Sequence, residues 1–140
     1  MPFDLVRVNI WAVLVGALIA FVIGGVWYTV LFGKLWVRLQ GYSEQKIKEM
    51  QAKMSPPRFF GGMLASYLAL ASALGLMLTA LPEPTALTGA AFSLLVWLGC
   101  AAIAMTGYIA SDKRLGIYLI DAGCQLVYLV LMGVLLGAWR

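Results

Sequence analysis

The sequence predicts an all-α, polytopic integral membrane protein. Of its 140 residues, 63% are hydrophobic and 11% are charged, whereas soluble domains carry about 25% charged residues. The mean hydropathy is +0.93, and the apolar residues fall into four long runs. Because lipid cannot satisfy free backbone donors and acceptors, such runs cross a membrane as helices. We expect four transmembrane helices, arranged as two antiparallel hairpins.

The four predicted spans cover residues 8–32, 60–81, 86–110 and 115–139. About 20 apolar residues suffice to cross about 30 Å of hydrocarbon. The second and third spans, and the third and fourth, are joined by turns that can only reverse the chain. The remaining connection, 33–59, is too short to form a second core. Residues 1–140 are therefore expected to form a single transmembrane domain.

The connection 33–59 contains the pattern of a short amphipathic helix. It divides at Gly41, and Ser43 beyond it is a candidate N-cap. Ile47, Met50 and Met54 follow at helical spacing, with lysines on the other face. The segment before Gly41 suits an extension of the first helix into the headgroup zone. Basic residues near anionic lipids contribute about 1 kcal/mol each, which favours a helix on the membrane surface over a docking site for a partner.

Charge placement predicts the orientation of the four spans. One side of the bundle carries eight basic residues: Lys34, Arg38, Lys46, Lys48, Lys53, Arg58, Lys113 and Arg114. The other side carries Arg7 and Arg140 beside Asp4 and Glu83. By the positive-inside rule, the basic connections face the cytoplasm and both termini face outward. Because the basic residues occupy these orienting positions, we expect no nucleic-acid partner.

The residue types present argue against an enzyme. Histidine, the commonest general base and metal ligand, is absent. Cys100 and Cys124 are symmetric about the third connection, so a hairpin would place them at nearly equal depth. Two thiols could bind a soft metal or simply pack as small apolar residues, and the absence of further ligands favours packing. We expect no catalytic residues, no metal and no cofactor.

Asp121 is the one charged residue within a predicted span, about 9 Å from the start of the fourth helix at 1.5 Å per residue. An ionisable residue at depth is a functional candidate by default. Counting residues predicts a polar site of Asp121, Gln125, Tyr28, Tyr67, Ser66, Thr106 and Tyr128, with Trp27 and Tyr108 nearby. Asp121 could bind a proton or cation, or it could accept structural hydrogen bonds from Tyr28, Tyr67 or Thr106. A lipid or pigment contact, or a water-lined pocket, stays open.

Small residues recur at helical spacing on three of the spans. They form the candidate association faces Gly16, Ala20 and Gly24; Ala65, Ala69 and Ala73; and Gly133 with Gly137. Small residues let helix backbones approach closely in a membrane. A four-helix molecule has more such faces than one interior uses. We therefore expect association with itself or with other membrane subunits, besides contact with the lipid bilayer.

Motifs at the two ends of the chain are similar to those of a known family. GGVWYTVLFGKLW at 24–36 and GYSE at 41–44 lie at one end, and LIDAG at 119–123 and LMGVLLGAW at 131–139 at the other. These segments resemble an uncharacterised bacterial family catalogued as domain of unknown function 1761. The resemblance implies a small four-helix protein of the bacterial inner membrane and supplies no activity.

Two functional hypotheses follow from the sequence. The first is a small non-enzymatic membrane protein that associates through its small-residue faces, as a homo-oligomer or as an accessory subunit of a larger complex. The second is a minimal oligomeric transporter or channel, coupled to protons or cations through Asp121. The outer halves of the four spans are nearly bare of polar residues, which favours the first hypothesis.

Overall fold

A computed structural model describes residues 2–139 of the chain, and this part of the chain is helical without strands. The helices are α1 (Ile10–Val26), α2 (Gly33–Gln40), α3 (Glu44–Lys53), α4 (Pro56–Leu78), α5 (Ala86–Ala110) and α6 (Leu115–Ala138). A single 3-10 turn, Leu5–Arg7, precedes α1, and a π-helical turn, Trp27–Leu31, follows it. Four helices are long and apolar enough to cross a membrane: α1 with its π turn, α4, α5 and α6. The chain is an all-α, multi-pass membrane protein.

Local capping explains where the helices begin. The Asn9 side chain accepts hydrogen bonds from the first turn of α1, and Ser43 accepts one from the backbone of Lys46 in α3. Thr85 begins α5 with a reciprocal capping box. Pro56 and Pro57 begin α4, four residues before the predicted start of the second span at residue 60. Proline suits this place because the first helical positions need no backbone N–H.

Three of the spanning helices surround one core, and the fourth packs beside them. On α4, Tyr67 lies beside Gly24 of α1 and Gly75 lies beside Val13. On α6, Gly123 lies beside Trp27 and Met132 lies beside Gly16, so α1 is antiparallel to both helices. The core between them contains Ala12, Ala17, Ala20, Ala71, Leu74 and Met132, all fully or almost fully buried. Helix α5 lies against α6 and contacts α4 little. The short connection between α4 and α5 therefore joins two helices that scarcely pack together.

Helices α5 and α6 meet backbone to backbone through small residues. A Cβ atom added to Gly89 would overlap the Gly133 carbonyl oxygen and lie 3.3 Å from the Gly137 Cα atom. Ser93, fully buried one turn further along α5, occupies the space above Gly133. This corrects the assignment of Gly133 and Gly137 to an association face. The GxxxG pair is matched by Gly89 and Ser93 of the neighbouring helix, so it is closed to a second molecule.

At the end of the bundle where α1 begins and α6 ends, Arg7 contacts the end of α4. Its guanidinium donates to the carbonyl oxygen of Thr79 at 3.1 Å, and to those of Leu81 and Pro82 at 3.5 and 3.4 Å. The Thr79 hydroxyl accepts the backbone N–H of Asp4 at 2.9 Å. A cation at a helix C-terminus satisfies the free carbonyls of the last turn. These contacts accompany the end of α4 at Leu78, three residues before the predicted end of the span at 81.

The chain bends between α1 and α2, where the sequence suggested a continuous extension of the first helix. A Cβ atom at Gly33 would lie 2.7 Å from the Tyr28 carbonyl oxygen, so the tight bend requires glycine. After the bend, α2 runs beside the start of α6, with Leu39 against Gly116. Helix α2 ends at Gly41, whose φ of +73° is left-handed. The bend brings α2 back against α6, next to Asp121.

Candidate functional site

The carboxylate of Asp121 accepts three hydrogen bonds from three different parts of the chain. Its Oδ1 atom accepts the Tyr28 hydroxyl from the π turn at 2.5 Å and the Trp36 indole N–H from α2 at 3.2 Å. Its Oδ2 atom accepts the Tyr108 hydroxyl from α5. Asp121 thus connects α6 to three neighbouring segments.

Two more indole groups bind the backbone of α6 on either side of Asp121. Trp27 donates to the Ile120 carbonyl oxygen at 3.0 Å, and Trp97 donates to that of Ala122 at 2.8 Å. A carbonyl oxygen in a helix retains a second lone pair for such a donor. We call the five donors the aromatic collar: Trp27, Tyr28, Trp36, Trp97 and Tyr108. The aromatic collar binds one turn of α6 from the π turn and α2 on one side and from α5 on the other.

Ring packing extends the collar toward the connection between α2 and α3. The Tyr28 and Trp36 ring centroids lie 5.9 Å apart, and those of Trp36 and Tyr42 lie 6.2 Å apart, both edge to face. On the α5 side, Tyr108 packs edge to face on Tyr118 at 5.4 Å, and the Lys113 ammonium lies 5.4 Å from the Tyr108 ring centroid. Such aromatic contacts contribute about 0.5–1.5 kcal/mol each. Trp36 therefore contacts both the carboxylate and the α2–α3 connection.

The polar residues predicted at the depth of Asp121 divide into separate groups. Tyr28 reaches the carboxylate, but the hydroxyls of Ser66 and Thr106 face outward and bond to carbonyl oxygens of their own helices, those of Gly62 and Ile103.

Tyr67 and Tyr128 form a second group, with ring centroids 5.2 Å apart. Gln125 is partly buried, and among the hydrogen bonds of residues 2–139 none joins it to Asp121. Equal depth does not bring side chains together when they project from different sides of their helices.

Sequence reasoning missed Trp36 and Trp97 as members of the site. Trp36 lies four residues beyond the predicted end of the first span, where tryptophan usually marks the membrane interface. The bend after Tyr28 carries it back to Asp121. Trp97 lies at mid-depth in the predicted third span, a position that by itself suggests packing. The Gly33 between two aromatic segments was the one available signal of a bend.

The side chain of Asp121 accepts hydrogen bonds on both of its carboxylate oxygens, and these bonds fix its position. Residues 2–139 contain no group of three or more potential metal ligands. Cys124 is buried in α6, whereas Cys100 is exposed on α5. The Asp121 carboxylate is bound by two phenol groups and one indole group.

The predicted small-residue faces also separate into inner and outer ones. Gly16, Ala20 and Gly24 are buried in the contacts of α1 with α6 and α4. Ala65, Ala69 and Ala73 are exposed along one side of α4. Of the three candidate faces, the α4 face alone is open in the described part of the chain.

The model of the family described as "Protein of unknown function (DUF1761)" matches residues 11–137 of the chain. The chain belongs to this family. No curated protein and no solved structure shows a significant match to the chain. The DUF1761 match extends from the first turn of α1 to the last turn of α6, and so includes every residue of the aromatic collar.

Proposed function

We propose that this DUF1761 protein is a non-enzymatic protein of the bacterial inner membrane that associates through the outward side of α4. The partner is a second copy, or a larger membrane complex in which the chain is an accessory subunit. The supporting observation is the composition of that side. From Gly61 to Ala73, every exposed residue of α4 except Met63 is small: Gly61, Gly62, Ala65, Ser66, Ala69, Ser72 and Ala73. We call this surface the α4 small face.

The α4 small face differs from the outward side of α1. There the exposed side chains are large, with Leu14, Leu18 and Val22 exposed by 39%, 52% and 60%. Cβ atoms added to Gly61 and Gly62 would meet nothing within 4 Å. Large apolar residues fill a lipid-facing surface, whereas small residues allow close approach of another helix backbone. The same principle operates within the chain where Gly89 meets Gly133.

Orientation forms part of the proposal. Helices α2 and α3 and the α5–α6 turn lie at the same end of the bundle, since Trp36 and Leu39 contact the start of α6. That end carries the eight basic residues. By the positive-inside rule it faces the cytoplasm, and both termini face outward.

We expect Ala69→Leu to weaken association about tenfold or more, because the added side chain holds the two backbones apart. The matched control is Ala102→Leu, the same substitution at an exposed position of α5. Energy transfer between donor- and acceptor-labelled copies, diluted in lipid vesicles, measures self-association. A partner of another kind is sought by photo-crosslinking from position 69 in native membranes. Equal energy transfer in the two variants, together with equal crosslinking from positions 69 and 102, would exclude the α4 small face.

The second candidate function is proton- or cation-coupled transport by an oligomer. The observation that favours it is Asp121, an ionisable group within α6 whose partners Tyr28 and Tyr108 are themselves hydroxyl donors. Transport would require the carboxylate to release these partners in each cycle. The geometry favours the first function because three donors hold the carboxylate at once.

Infrared difference spectroscopy of the carboxyl stretch in lipid separates the two candidate functions, with Asp121→Asn to identify the band. If the carboxylate is a fixed structural acceptor, its band stays constant between about pH 5 and 8, the range useful for proton coupling. A band that titrates within this range would move transport ahead of association.

A further inference from the structure

We propose that a groove beside α2 and α3 binds one acyl chain of an anionic phospholipid, whose phosphate lies near Lys46 and Lys53. The groove has a volume of about 320 Å³. Its walls include Trp36 of α2, Tyr42 of the α2–α3 connection and Phe59 of α4. Ile47 and Met50 of α3, and Met54 at the C-cap of that helix, form the remaining wall. Pockets that hold small molecules have volumes of about 300–1,000 Å³. The space suits part of one lipid tail.

The position of the groove favours a lipid tail as its occupant. Trp36 forms one wall and donates its indole N–H to Asp121, which lies six residues after the start of α6. Six helical residues rise about 9 Å, so this wall reaches below the headgroups into the hydrocarbon. Met50, Met54 and Phe59 are exposed by 43%, 41% and 49%. At that depth, lipid tails are the apolar material that surrounds every membrane protein.

The charge around the groove favours an anionic headgroup. Residues 33–59 contain six basic and two acidic side chains. The lining residues Ile47, Met50, Gln51 and Met54 form one face of α3. At helical spacing, Lys46 and Lys53 lie seven residues apart along one edge of this face, and Lys48 lies along the other edge. A phosphate beside Lys46 and Lys53 would have its tail directed toward Met50 and Trp36.

This proposal is independent of the α4 small face. The groove involves the first turn of α4, through Phe59, whereas the small face extends along the outward side of that helix to Ala73. The groove instead communicates with the collar, because Trp36 lines the groove with one part of its ring system and binds Asp121 with its N–H. An occupied groove would hold Trp36 in this position.

Quenching of Trp36 fluorescence by lipids with brominated chains tests the proposal. The protein is placed in phosphatidylcholine nanodiscs with a minor fraction of brominated phosphatidylglycerol or, separately, of brominated phosphatidylcholine. The chain has five tryptophans, and subtraction of the Trp36→Phe signal isolates the one in the groove. We expect phosphatidylglycerol to quench Trp36 several-fold more than phosphatidylcholine at the same mole fraction. Native mass spectrometry of retained phosphatidylglycerol gives a second measurement that does not depend on the Trp36→Phe variant.

Two double variants with equal net charge provide the decisive comparison. Lys46→Gln with Lys53→Gln should lower the preference for phosphatidylglycerol about tenfold, whereas Lys34→Gln with Lys48→Gln should lower it only about twofold. An equal loss in both variants would show a general charge effect and overturn the site. Equal quenching by the two lipids would show unselective bulk lipid in the groove. Quenching by neither would show that protein covers the groove. Each of these three results contradicts the proposal.

Discussion

Gly89→Ala should lower the free energy of unfolding by about 3 kcal/mol, the upper part of the range for overpacked sites. The added methyl group would overlap the carbonyl oxygen of Gly133. Because the obstacle is backbone, rotation of a side chain cannot relieve the overlap, and α5 must move away from α6. Unfolding in bicelles, followed by circular dichroism or by steric trapping, measures the loss.

Gly99→Ala is the matched control, since it adds the same methyl group to the same helix. A Cβ atom at Gly99 would meet nothing within 4 Å. In a helix interior, alanine is favoured over glycine by about 1 kcal/mol, so this variant should be neutral or slightly more stable. Equal effects of the two substitutions would contradict the close packing of α5 on α6. Gly133→Ile is likewise expected to separate α5 from α6, and it therefore tests the fold and not association.

Asp121→Ala should lower the free energy of unfolding by about 3 kcal/mol or more, because it removes the common acceptor of three hydrogen-bond donors. Each buried donor left without a partner costs about 1–3 kcal/mol, and Tyr28, Trp36 and Tyr108 would all lose theirs. Helices α2 and α5 would also lose the hydrogen bonds that both of them make to Asp121 of α6. The same unfolding measurement applies, and increased proteolysis of the α2–α3 connection should accompany it.

Asp121→Asn is the control that keeps the shape of the side chain. Its amide oxygen can still accept from Tyr28 and Trp36, while the amide nitrogen can donate to the Tyr108 hydroxyl. We expect insertion and folding to be preserved, with a loss well below that of alanine. In a double-mutant cycle, Tyr108→Phe should lose most of its effect in the Asp121→Ala background. Additive effects would contradict the bond between Tyr108 and Asp121, and a misfolded Asp121→Asn variant would contradict the structural role.

Much of the fold follows from local properties of the sequence. The four spans are evident from apolar runs of sufficient length, and capping residues such as Ser43 indicate where a helix begins. Asp121 stood out because a charge inside a span is costly. Counting residues along the antiparallel helices placed Tyr28 at the depth of Asp121, whose carboxylate it contacts. These features depend on composition and helical spacing, which the sequence states directly.

The identity of the remaining partners depends on how the helices are arranged. Residue counting gives the depth of Ser66, Thr106 and Tyr108 but not the direction in which each side chain projects. Only Tyr108 faces Asp121, because α5 packs on α6 in that rotation. Trp36 joins the site through the bend at Gly33, which reverses the expectation of a straight helix.

The sequence by itself determined that this protein is a four-span helical membrane protein with one carboxylate inside a span. The reason is that hydropathy and charge are properties of individual residues and do not depend on how the helices pack. The tertiary structure decided which of the small-residue faces is filled and which is open. Gly133 and Gly137 are closed by Gly89 of α5, whereas Ala65, Ala69 and Ala73 stay exposed. The physical reason is that close packing is a property of two surfaces together, and a single helix carries the pattern of only one of them.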